Sequence, residues 1–494
     1  MAKKDKQALA AKKRRKEKEK QQAIQKKENT KKVLKISLIA FIALCVVVAL
    51  IFIVITIVNN SGAKIRSQVY LKTEHFSVDG AMMQYFVNDS YVSFKEYYGT
   101  YLSQFFDTSK DLKQQACIYA TEDMGSGNCT WFDFFVADAE NSAKNILKAC
   151  ELAYSNNISL TDEDMAAINL RAKETDVSSI GNGVTTSDVA NCLKLQILAY
   201  KCITEVTKDI DVTDEEINDY YLESRDEYDY VEYMSVVYAY AEENKAKIDA
   251  RVEALTNASS KEEFVELLRK YYTLDGTLDV DAAIDNSTDK VTKTDNDLSD
   301  EVEEWLFSSS VNDSKSFVSE NADDANSDKM TVYFITSEAA PDESPTKSVR
   351  HILFDSTTYG SQEKAEELAN TIYEKLKANN TKEYFIELAC AYSSDQGSVF
   401  QGGLYKNVKE NTLVKSFNDW TYAPKRLPGS TDLLSSTYGW HIVYFEGEGL
   451  PAYKGDIYNA IYQNKYDELV NGLFDTVTID RNPKVINDMK GTLK

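Results

Sequence analysis

The feature that most constrains this chain is an uncharged, apolar run from Ile36 to Val58. Its 23 residues are rich in Ile, Val, Leu and Phe, and a helix of that length is long enough to cross a bilayer. The 35 residues before it hold 15 Lys/Arg against 4 Asp/Glu, so the positive-inside rule leaves the N-terminus in the cytoplasm. The sequence therefore predicts a single-pass membrane protein whose bulk, everything after Asn59, is extracytoplasmic.

Two other interpretations of the apolar run are weaker. A cleaved signal peptide usually has an apolar core of about 7 to 15 residues, and the small residues after Asn60 make a poor cleavage site. A lipid anchor at Cys45 would need a small residue where Leu44 stands. We therefore expect an uncleaved membrane anchor.

The charge of the chain changes sign across the predicted span. The basic cluster from Lys12 to Lys16 is compatible with binding to nucleic acid or ribosomes, but membrane topology and attraction to anionic lipid explain it better. The whole chain holds 56 Lys/Arg and 79 Asp/Glu, and removing the tail leaves 41 against 75, a formal charge of −34. So acidic a surface argues against a nucleic-acid partner.

Six cysteines follow the predicted span, and their spacing matches neither a metal motif nor a dense disulfide framework. Cys117 and Cys129 flank a Gly-Ser-Gly turn and are able to bridge in an oxidising compartment, whereas we expect the other four to be packing residues. The roughly 430 residues outside the membrane are enough for two to four domains with ordinary cores.

The first part of the extracytoplasmic chain has the periodicity of helices. Apolar residues recur at spacings of three and four over residues 76–206, as in Met82, Tyr85 and Phe86. This pattern predicts a helical domain.

Two more helices are predicted further along. A capping signature, Thr213 with Glu216 three positions later, opens a short helix before a strand at 231–240. Past Pro451, residues 453–477 form an amphipathic pattern. A lone helix cannot bury such a face, so we expect this helix to dock on the N-terminal helical domain.

Between these helices the chain repeats itself. Residues 260–268 align with residues 381–389 at an offset of 121, and two later matches follow in the same order. These are Glu303-Glu304-Trp305 with Asn418-Asp419-Trp420, and Met330 to Phe334 with His441 to Phe445, at offsets of 115 and 111. Three ordered matches argue for a duplicated domain, and Pro341 with Pro345 marks the linker between the copies.

The second copy contains two of the three histidines in the chain. His351 lies in the strand-like run 349–354, and His441 lies in the run 438–445. Strands far apart in sequence can pair side by side, so two inward-facing imidazoles can meet in one pocket. In so histidine-poor a chain, this pair is the best candidate for chemistry.

The alignment also predicts what replaces the histidines in the first copy. Tyr233 or Met234 falls at the first position and Met330 at the second, whereas Asp275 falls near Asp395. A domain that keeps its frame without either imidazole suggests that the histidines serve function rather than folding.

The second copy carries five motifs in order. They are Val349-Arg350-His351-Ile352-Leu353, Phe385 with Leu388-Ala389 and Tyr392-Ser393-Ser394-Asp395, Gly402-Gly403-Leu404, Leu413-Val414-Lys415-Ser416-Phe417, and Tyr438-Gly439-Trp440-His441-Ile442. Over about 100 residues these motifs resemble the parvulin (PpiC-type) peptidyl-prolyl isomerase pattern. The wider architecture is similar to bacterial extracytoplasmic foldases of the SurA and PrsA type. One departure is that the turn after Gly403 lacks the family's acidic residue and second glycine.

The resemblance implies a site without a metal ion or cofactor. Its candidate catalytic residues are His351, Asp395 and His441, and its candidate substrate-binding residues are Leu404, Leu413, Phe417 and Tyr438. In the family the two histidines share a hydrogen bond, and we expect the Asp to act electrostatically rather than as a nucleophile. The Leu413 and Phe417 side chains would form an apolar cup for the proline ring.

The resemblance implies an α+β fold with one transmembrane helix, a helical chaperone-like domain, two parvulin-like domains of which the first is degenerate, and a returning C-terminal helix. The predicted parts are a basic tail (1–35), the span (36–58), the helical domain (64–206), the degenerate copy (207–340), the isomerase domain (346–449) and the C-terminal segment (452–494). The expected activity is isomerisation in unfolded or proline-containing polypeptides. A holding chaperone without turnover remains the alternative, and an adhesin or receptor is supported only by the single-span topology.

Overall fold

The structure, a computed structural model, describes residues 12–16, 18–20, 25–26, 41–54, 56, 62–117, 129–181, 183–294, 297–319 and 328–489. Helices and antiparallel sheets make up the described part, which confirms the predicted α+β class. The chain divides into two compact units. The first contains residues 1–147, 176–193 and 478–494, and the second contains residues 148–175 and 194–477.

The predicted membrane span lies partly outside the described residues. Residues 41–54 and 56 are helical, whereas residues 36–40, 55 and 57–58 and most of the basic tail are not described. Within the described ranges, no helix combines the length and the apolar character needed to cross a bilayer.

The first unit is built from helices and a small sheet. Its strands are β1 (Val69–Lys72), β2 (Ser77–Asp79) and β11 (Asp480–Arg481), in the order β11-β1-β2. Its helices are α1 (Ala63–Arg66), α2 (Gly80–Tyr98), α5 (Val177–Ile180) and the first parts of α3 (Trp131–Ser155) and α6 (Thr186–Thr207). Asp79 begins α2, because its carboxylate accepts the backbone N–H groups of Ala81 and Met82 at 2.9 and 3.0 Å.

The two cysteines with bridging potential lie opposite each other in this unit. The backbone N–H of Cys117 donates to the carbonyl oxygen of Cys129 at 2.9 Å, beside an antiparallel bridge between Ala116 and Thr130. Both side chains are present as thiols, and residues 118–128 between them lie outside the described part. The structure therefore holds no disulfide at this position.

The second unit contains two four-stranded sheets with the same strand order. The first sheet consists of β3 (Asp229–Ala239), β4 (Thr288–Val291), β5 (Ser314–Ser319) and β6 (Lys329–Pro341), in the order β4-β3-β6-β5. The second consists of β7 (Lys347–Phe354), β8 (Leu404–Val408), β9 (Thr431–Ser436) and β10 (Gly439–Glu448), in the order β8-β7-β10-β9. In each sheet the first and last strands along the chain are central.

The helices of this unit follow the same plan. Within the first sheet's segment they are α9 (Lys245–Thr256), α10 (Lys261–Leu274), α11 (Val280–Asp285) and α12 (Asp300–Ser308). Within the second they are α13 (Ser356–Tyr359), α14 (Gln362–Ala378), α15 (Lys382–Tyr392) and α16 (Lys415–Thr421). The others are α4 (Asp162–Glu174), α7 (Asp214–Glu223), α8 (Arg225–Tyr228) and α17 (Ala452–Phe474). One helix in each set, α12 or α16, lies between the second and third strands.

The two faces of the second sheet are covered differently. Because neighbouring residues of a strand point to opposite faces, Ile352 and Phe354 lie on the face covered by α14 and α15. His351 lies on the other face with Val349, and α16 covers this face through Phe417. The four apolar side chains are at most 2% exposed, so both faces are closed to water. The second face carries the candidate site.

Helix α4 completes the core of the second sheet, although it lies in the segment predicted as the helical domain. Thr161 begins it with a capping box in which Asp164 is the third helical residue. Ala167 is fully buried in the cluster that contains Ile352. Glu163 accepts from Lys375 of α14 at 2.7 Å. The core of the isomerase domain therefore extends beyond residues 346–449.

The C-terminal helix has its main contacts outside the helical domain on which residues 452–494 were expected to dock. The apolar face of α17, with Tyr453 and Ile457, packs against Val212 and Ile217 at the start of α7, and the helix also contacts β8. Near its end the helix meets the predicted helical domain, where Nζ of Lys148 lies 5.7 Å from the centroid of the Phe474 ring. The amphipathic pattern predicts that one face is buried, but the partner of that face depends on packing that the pattern does not display.

Enlarging Ala167 is expected to destabilise the second unit. Ala167→Leu adds volume to a site with no exposed surface, which should lower the free energy of unfolding by about 1 to 3 kcal/mol. Ala166→Leu, on the exposed side of the same helix, is the control and should change it by less than about 0.5 kcal/mol. Urea unfolding of both variants checks this, and equal stability of the two would contradict the docking of α4.

Candidate active site

The two histidines of the second sheet meet on adjacent antiparallel strands. His351 of β7 pairs with Val443, and His441 of β10 pairs with Leu353, so the histidines are diagonal neighbours on one face. Their Nδ1 atoms are 3.2 Å apart, and their rings are stacked with centroids 5.4 Å apart. Both residues are buried, at 5% and 4% exposure. The structure thus brings together the imidazoles that the sequence singled out.

Asp395 reaches the same site from the loop after α15. Its Oδ2 atom lies 2.7 Å from Nε2 of His351 and also accepts the hydroxyl of Ser398 and, at 3.1 Å, that of Tyr405. Its Oδ1 atom accepts the backbone N–H of Gly397 at 3.1 Å. Burial alone would raise the pKa of Asp395, but the hydrogen bonds from His351, Ser398 and Gly397 hold it below its usual range. Asp395 is therefore ionised at neutral pH.

His441 is anchored at its other ring nitrogen. Its Nε2 atom lies 2.7 Å from the hydroxyl of Ser436, and that hydroxyl oxygen accepts the backbone N–H of Tyr438 at 3.0 Å. Burial, together with the neighbouring His351, lowers the pKa of His441 to about 4. The imidazole of His441 is therefore neutral at neutral pH.

These partners join the three residues into one chain of hydrogen bonds. The ionised carboxylate only accepts, so Nε2 of His351 carries a proton. The two Nδ1 atoms share one proton between them, because two N–H groups cannot face each other across a hydrogen bond. Nε2 of His441 pairs with the hydroxyl of Ser436, so every ring nitrogen has a partner.

The apolar wall of the site comes from α16 and the segment before it. The ring of Phe417 lies 5.6 Å from that of His351 and 5.9 Å from that of His441, centroid to centroid. Leu413 is half-buried and packs in the same cluster. Phe417 therefore adjoins the histidine pair, and Leu413 packs in the same apolar cluster as Phe417.

Two other candidate substrate-binding residues are placed differently. Leu404 pairs with Arg350, so its side chain lies on the face opposite to His351. Its neighbour Tyr405 is on the site face, with its ring centroid 5.1 Å from that of His351. Tyr438 is 65% exposed and reaches the site only through its backbone N–H. Leu404 was predicted to bind substrate beside the cup, but Tyr405 rather than Leu404 is the neighbour that faces the histidines.

The glycine pair beside the site is needed for close backbone contact. Gly403 has φ +77°, and a Cβ atom there would lie 2.2 Å from the carbonyl oxygen of His351. The carbonyl of Gly403 accepts the N–H of His351 at 2.9 Å. Behind the sheet, Arg350 donates to the carbonyl oxygens of Gln401 and Gly402 at 2.6 and 2.9 Å. The turn is therefore fixed from both faces of β7.

Sequence reasoning missed three polar residues of the site: Ser398, Tyr405 and Ser436. The two serines carry no signal of their own, because hydroxyl residues are common in loops and at strand ends. Tyr405 had a signal: it follows Leu404 in a segment that begins a strand, so one of the two neighbours had to face His351. Among the described residues, no group of three or more His, Cys, Asp or Glu side chains is arranged to hold a metal ion.

In the first sheet, the residues equivalent to the two histidines are not those that the alignment suggested. Met330 alternates with Val332 and Phe334, which face helices α9 and α10. The same holds for Met234, whereas the histidines of the second sheet lie on the opposite face. Met330 therefore does not occupy the place of His441.

Strand pairing identifies the equivalent positions. The third strand begins opposite Tyr444 in the second sheet and opposite Phe334 in the first. With these two residues superposed, Ser235 corresponds to His351, and Thr331 corresponds to the second histidine. The first sheet thus has hydroxyl side chains where the second has imidazoles. Its aspartate, Asp275, is bound instead by the guanidinium of Arg251 on α9.

Comparison with known families agrees with this geometry. Residues 335–448 match the family described as the PPIC-type PPIASE domain, and all seven candidate site residues lie in that range. This part of the chain is a parvulin-type domain. The resemblance inferred from the motifs is confirmed.

Curated relatives match the chain only in part. It is 31% identical over 125 residues to the chaperone SurA of Pseudomonas fluorescens, covering 24% of this chain and 28% of the relative. It is 29% identical over 138 residues to the putative peptidyl-prolyl cis-trans isomerase Cbf2 of Campylobacter jejuni, covering 28% of this chain and 45% of the relative. The chain thus spans less than half the length of these relatives.

Solved structures of PrsA proteins are also similar. PrsA from Bacillus subtilis is 13% identical, with 76% of this chain and 93% of that chain covered and a TM-score of 0.21. Peptidylprolyl isomerase PrsA from Bacillus anthracis is 14% identical, with 57% and 94% covered and a TM-score of 0.18. Scores this low support no conclusion about how the parts of this chain are arranged.

Substituting Gly403 is expected to destabilise the site more than substituting a glycine of equal φ elsewhere. Gly276 also has φ +77°, but a Cβ atom there would meet nothing within 4 Å. Gly276→Ala should therefore cost only the backbone strain, about 1 kcal/mol. Gly403→Ala adds the clash with His351 and should cost at least about 2 kcal/mol. Urea unfolding measures both, and equal losses would contradict the close approach.

Acidification is expected to destabilise the parvulin-type domain through His441. Its pKa of about 4 lies below the ordinary value of 6.5, so between these pH values the unfolded chain binds a proton that the folded chain does not. The stability due to the neutral imidazole is fully present above pH 6.5 and is lost as the pH falls towards 4. We expect a loss of about 3 kcal/mol over that range, measured by urea unfolding at several pH values.

Two variants make this measurement specific. His441→Asn removes the imidazole of His441 and should show a flatter dependence of stability on pH between 4 and 6.5. His75→Gln changes the exposed third histidine of the chain and should keep the wild-type dependence. A wild-type slope in His441→Asn would contradict the assignment to His441.

Proposed function

We propose that the chain is a peptidyl-prolyl cis-trans isomerase that acts on unfolded or proline-containing polypeptides. The observation that carries this proposal is the His441–His351–Asp395 hydrogen-bonded chain beside Phe417, within a domain of the PPIC type. The family description names the reaction, and the geometry supports it.

The reaction needs rotation about an X-Pro amide without breaking a covalent bond. The barrier is about 18 to 20 kcal/mol, because the twisted amide loses its resonance. A site accelerates the rotation only if it binds the twisted amide better than the planar one. The planar amide is the more polar of the two, so a partly dry, apolar pocket favours the twisted state.

The residues divide this work between them. Leu413 and Phe417 hold the proline ring against the α16 side of the site. The hydrogen-bonded pair of His351 and His441 forms a rigid polar floor whose donors and acceptors are already paired. Asp395 fixes one end of that floor as an anion. It acts electrostatically and not as a nucleophile, because both its oxygen atoms already accept hydrogen bonds.

We further propose that this enzyme is anchored in the membrane and works outside the cytoplasm. The proposal is supported by the uncharged run at 36–58 and the excess of 11 positive charges before it. The strongly acidic remainder of the chain suits a soluble surface next to the anchor. An isomerase so placed would assist the folding of secreted or surface proteins.

The division into domains is part of the same proposal. We assign residues 1–35 to a cytoplasmic tail, 36–58 to the span, 64–206 to a helical domain and 452–494 to the C-terminal segment. Residues 207–340 form a degenerate copy of the parvulin-type domain at 346–449. The shared strand order of the two sheets supports the duplication.

A holding chaperone is the second candidate function. It is favoured by the first sheet, which keeps the frame of the second but has Ser235 and Thr331 in place of the histidines. Such a module can bind peptide segments without turning them over. The two functions are compatible in one chain, with the first sheet holding and the second isomerising.

Removing either imidazole is expected to abolish most of the isomerase activity. His351→Ala and His441→Ala each leave a buried partner without its hydrogen bond, so kcat/KM should fall at least about tenfold. The measurement is cis-trans exchange in a proline peptide with the full chain in detergent. His75→Ala, in an exposed position of the first unit, is the control and should keep the wild-type rate.

The outcome also separates the two candidate functions. Wild-type rates in both site variants would refute the isomerase assignment of this site. The holding chaperone would be supported if the wild-type chain does not isomerise the peptide and both variants still suppress aggregation.

A further inference from the structure

Tyr405 is the residue of the site for which neither the motifs nor the proposed reaction accounts. It is the second residue of β8 and pairs with Val349, which puts its side chain on the histidine face. The side chain is half-buried and packs in the same apolar cluster as Phe417 and Val443. Its position results from the short turn after Gly403, which starts β8 directly after the glycine pair.

The tyrosine contacts two members of the site at once. Its hydroxyl donates to Oδ2 of Asp395 at 3.1 Å, and its ring lies 5.1 Å from that of His351, centroid to centroid. The ring of His351 therefore contacts the rings of both Tyr405 and His441. Among the described residues of the site, Tyr405 alone combines a ring contact with His351 and a hydrogen bond to Asp395.

The phenol remains a donor across the working pH range. Burial, together with the adjacent Asp395, raises the pKa of Tyr405 above its usual value. The carboxylate in turn only accepts, so the direction of this hydrogen bond is fixed. Besides His351 and Tyr405, the donors to Asp395 are Ser398 and Gly397 of its own loop, whereas Tyr405 links that loop to the edge strand of the sheet.

We propose that Tyr405 is a positioning residue, which holds the carboxylate of Asp395 and the ring of His351 in the orientation that keeps the proton of His351 on Nε2. It does so from β8, independently of the α15 loop. The kinetic part of this proposal rests on the isomerase function proposed above, whereas its structural part does not.

The test compares two substitutions that remove the same kind of hydrogen bond. Tyr405→Phe keeps the ring and removes only the hydroxyl. Tyr233→Phe is the matched control, because its hydroxyl donates to Asp289 at 3.2 Å across the corresponding strands of the first sheet, where no histidine lies nearby. Both variants are made in the full chain, and kcat/KM for a proline peptide and the imidazole ¹⁵N and N–H resonances are recorded.

In Tyr405→Phe we expect kcat/KM to fall roughly tenfold, as for the loss of one hydrogen bond to a charged group. The Nε2–H resonance of His351 should move downfield, because Asp395 with one donor fewer accepts more strongly from the imidazole. Ser398→Ala, which removes another donor to the same oxygen atom, should move it in the same direction. Tyr233→Phe should change neither readout.

Several outcomes would overturn the proposal. The proposal would be refuted if Tyr405→Phe kept the wild-type rate and the wild-type His351 resonance. It would also be refuted if the rate fell while the resonance did not move, since the hydroxyl would then not act through His351. If Tyr405→Phe does not fold, an unmoved resonance in Ser398→Ala decides against it. A wild-type chain without isomerase activity would instead refute the proposed function, and the resonance would still decide the role of Tyr405.

Discussion

The antiparallel pairing of β7 with β10 is the constraint on which the candidate site depends. It sets His351 opposite Val443 and His441 opposite Leu353, which makes the imidazoles diagonal neighbours. A shift of one residue would send one imidazole to the helix-covered face. Gly439 protects the register at the start of β10, because any Cβ atom there would lie 2.3 Å from a carbonyl oxygen of β7. The geometry of the histidine pair is thus set by the sheet.

That pairing explains the electrostatics as well. Two imidazoles buried side by side cannot both be charged at reasonable cost, and the pKa of His441 falls to about 4 accordingly. The pKa of Asp395 is lowered as well, because the protein donors outweigh burial there and keep the carboxylate ionised. One end of the chain is therefore neutral and the other negative. This fixed polarity is what a preorganised site for an uncharged amide requires.

The resemblance of five ordered motifs to the parvulin pattern was enough to predict that His351, His441 and Asp395 belong to one site. It failed at Leu404. Strand β8 begins directly after the glycine pair, so alternation turns Tyr405 towards the histidines. A sequence pattern preserves the order of residue types, but the register at which a turn enters a strand depends on pairing that the sequence does not display.

The sequence pattern also failed to show the register of the first sheet. The alignment of similar residue types matched Met330 with His441. Strand pairing instead makes Thr331 equivalent to His441 and Ser235 equivalent to His351. The alignment slipped by one residue because a buried strand is apolar on both faces. Small hydroxyl residues therefore support the same strand order. A buried imidazole with a depressed pKa, such as that of His441, makes a fold less stable in acid. The presence of the two histidines in the second sheet is thus explained by the chemistry of the site, since the frame forms without them.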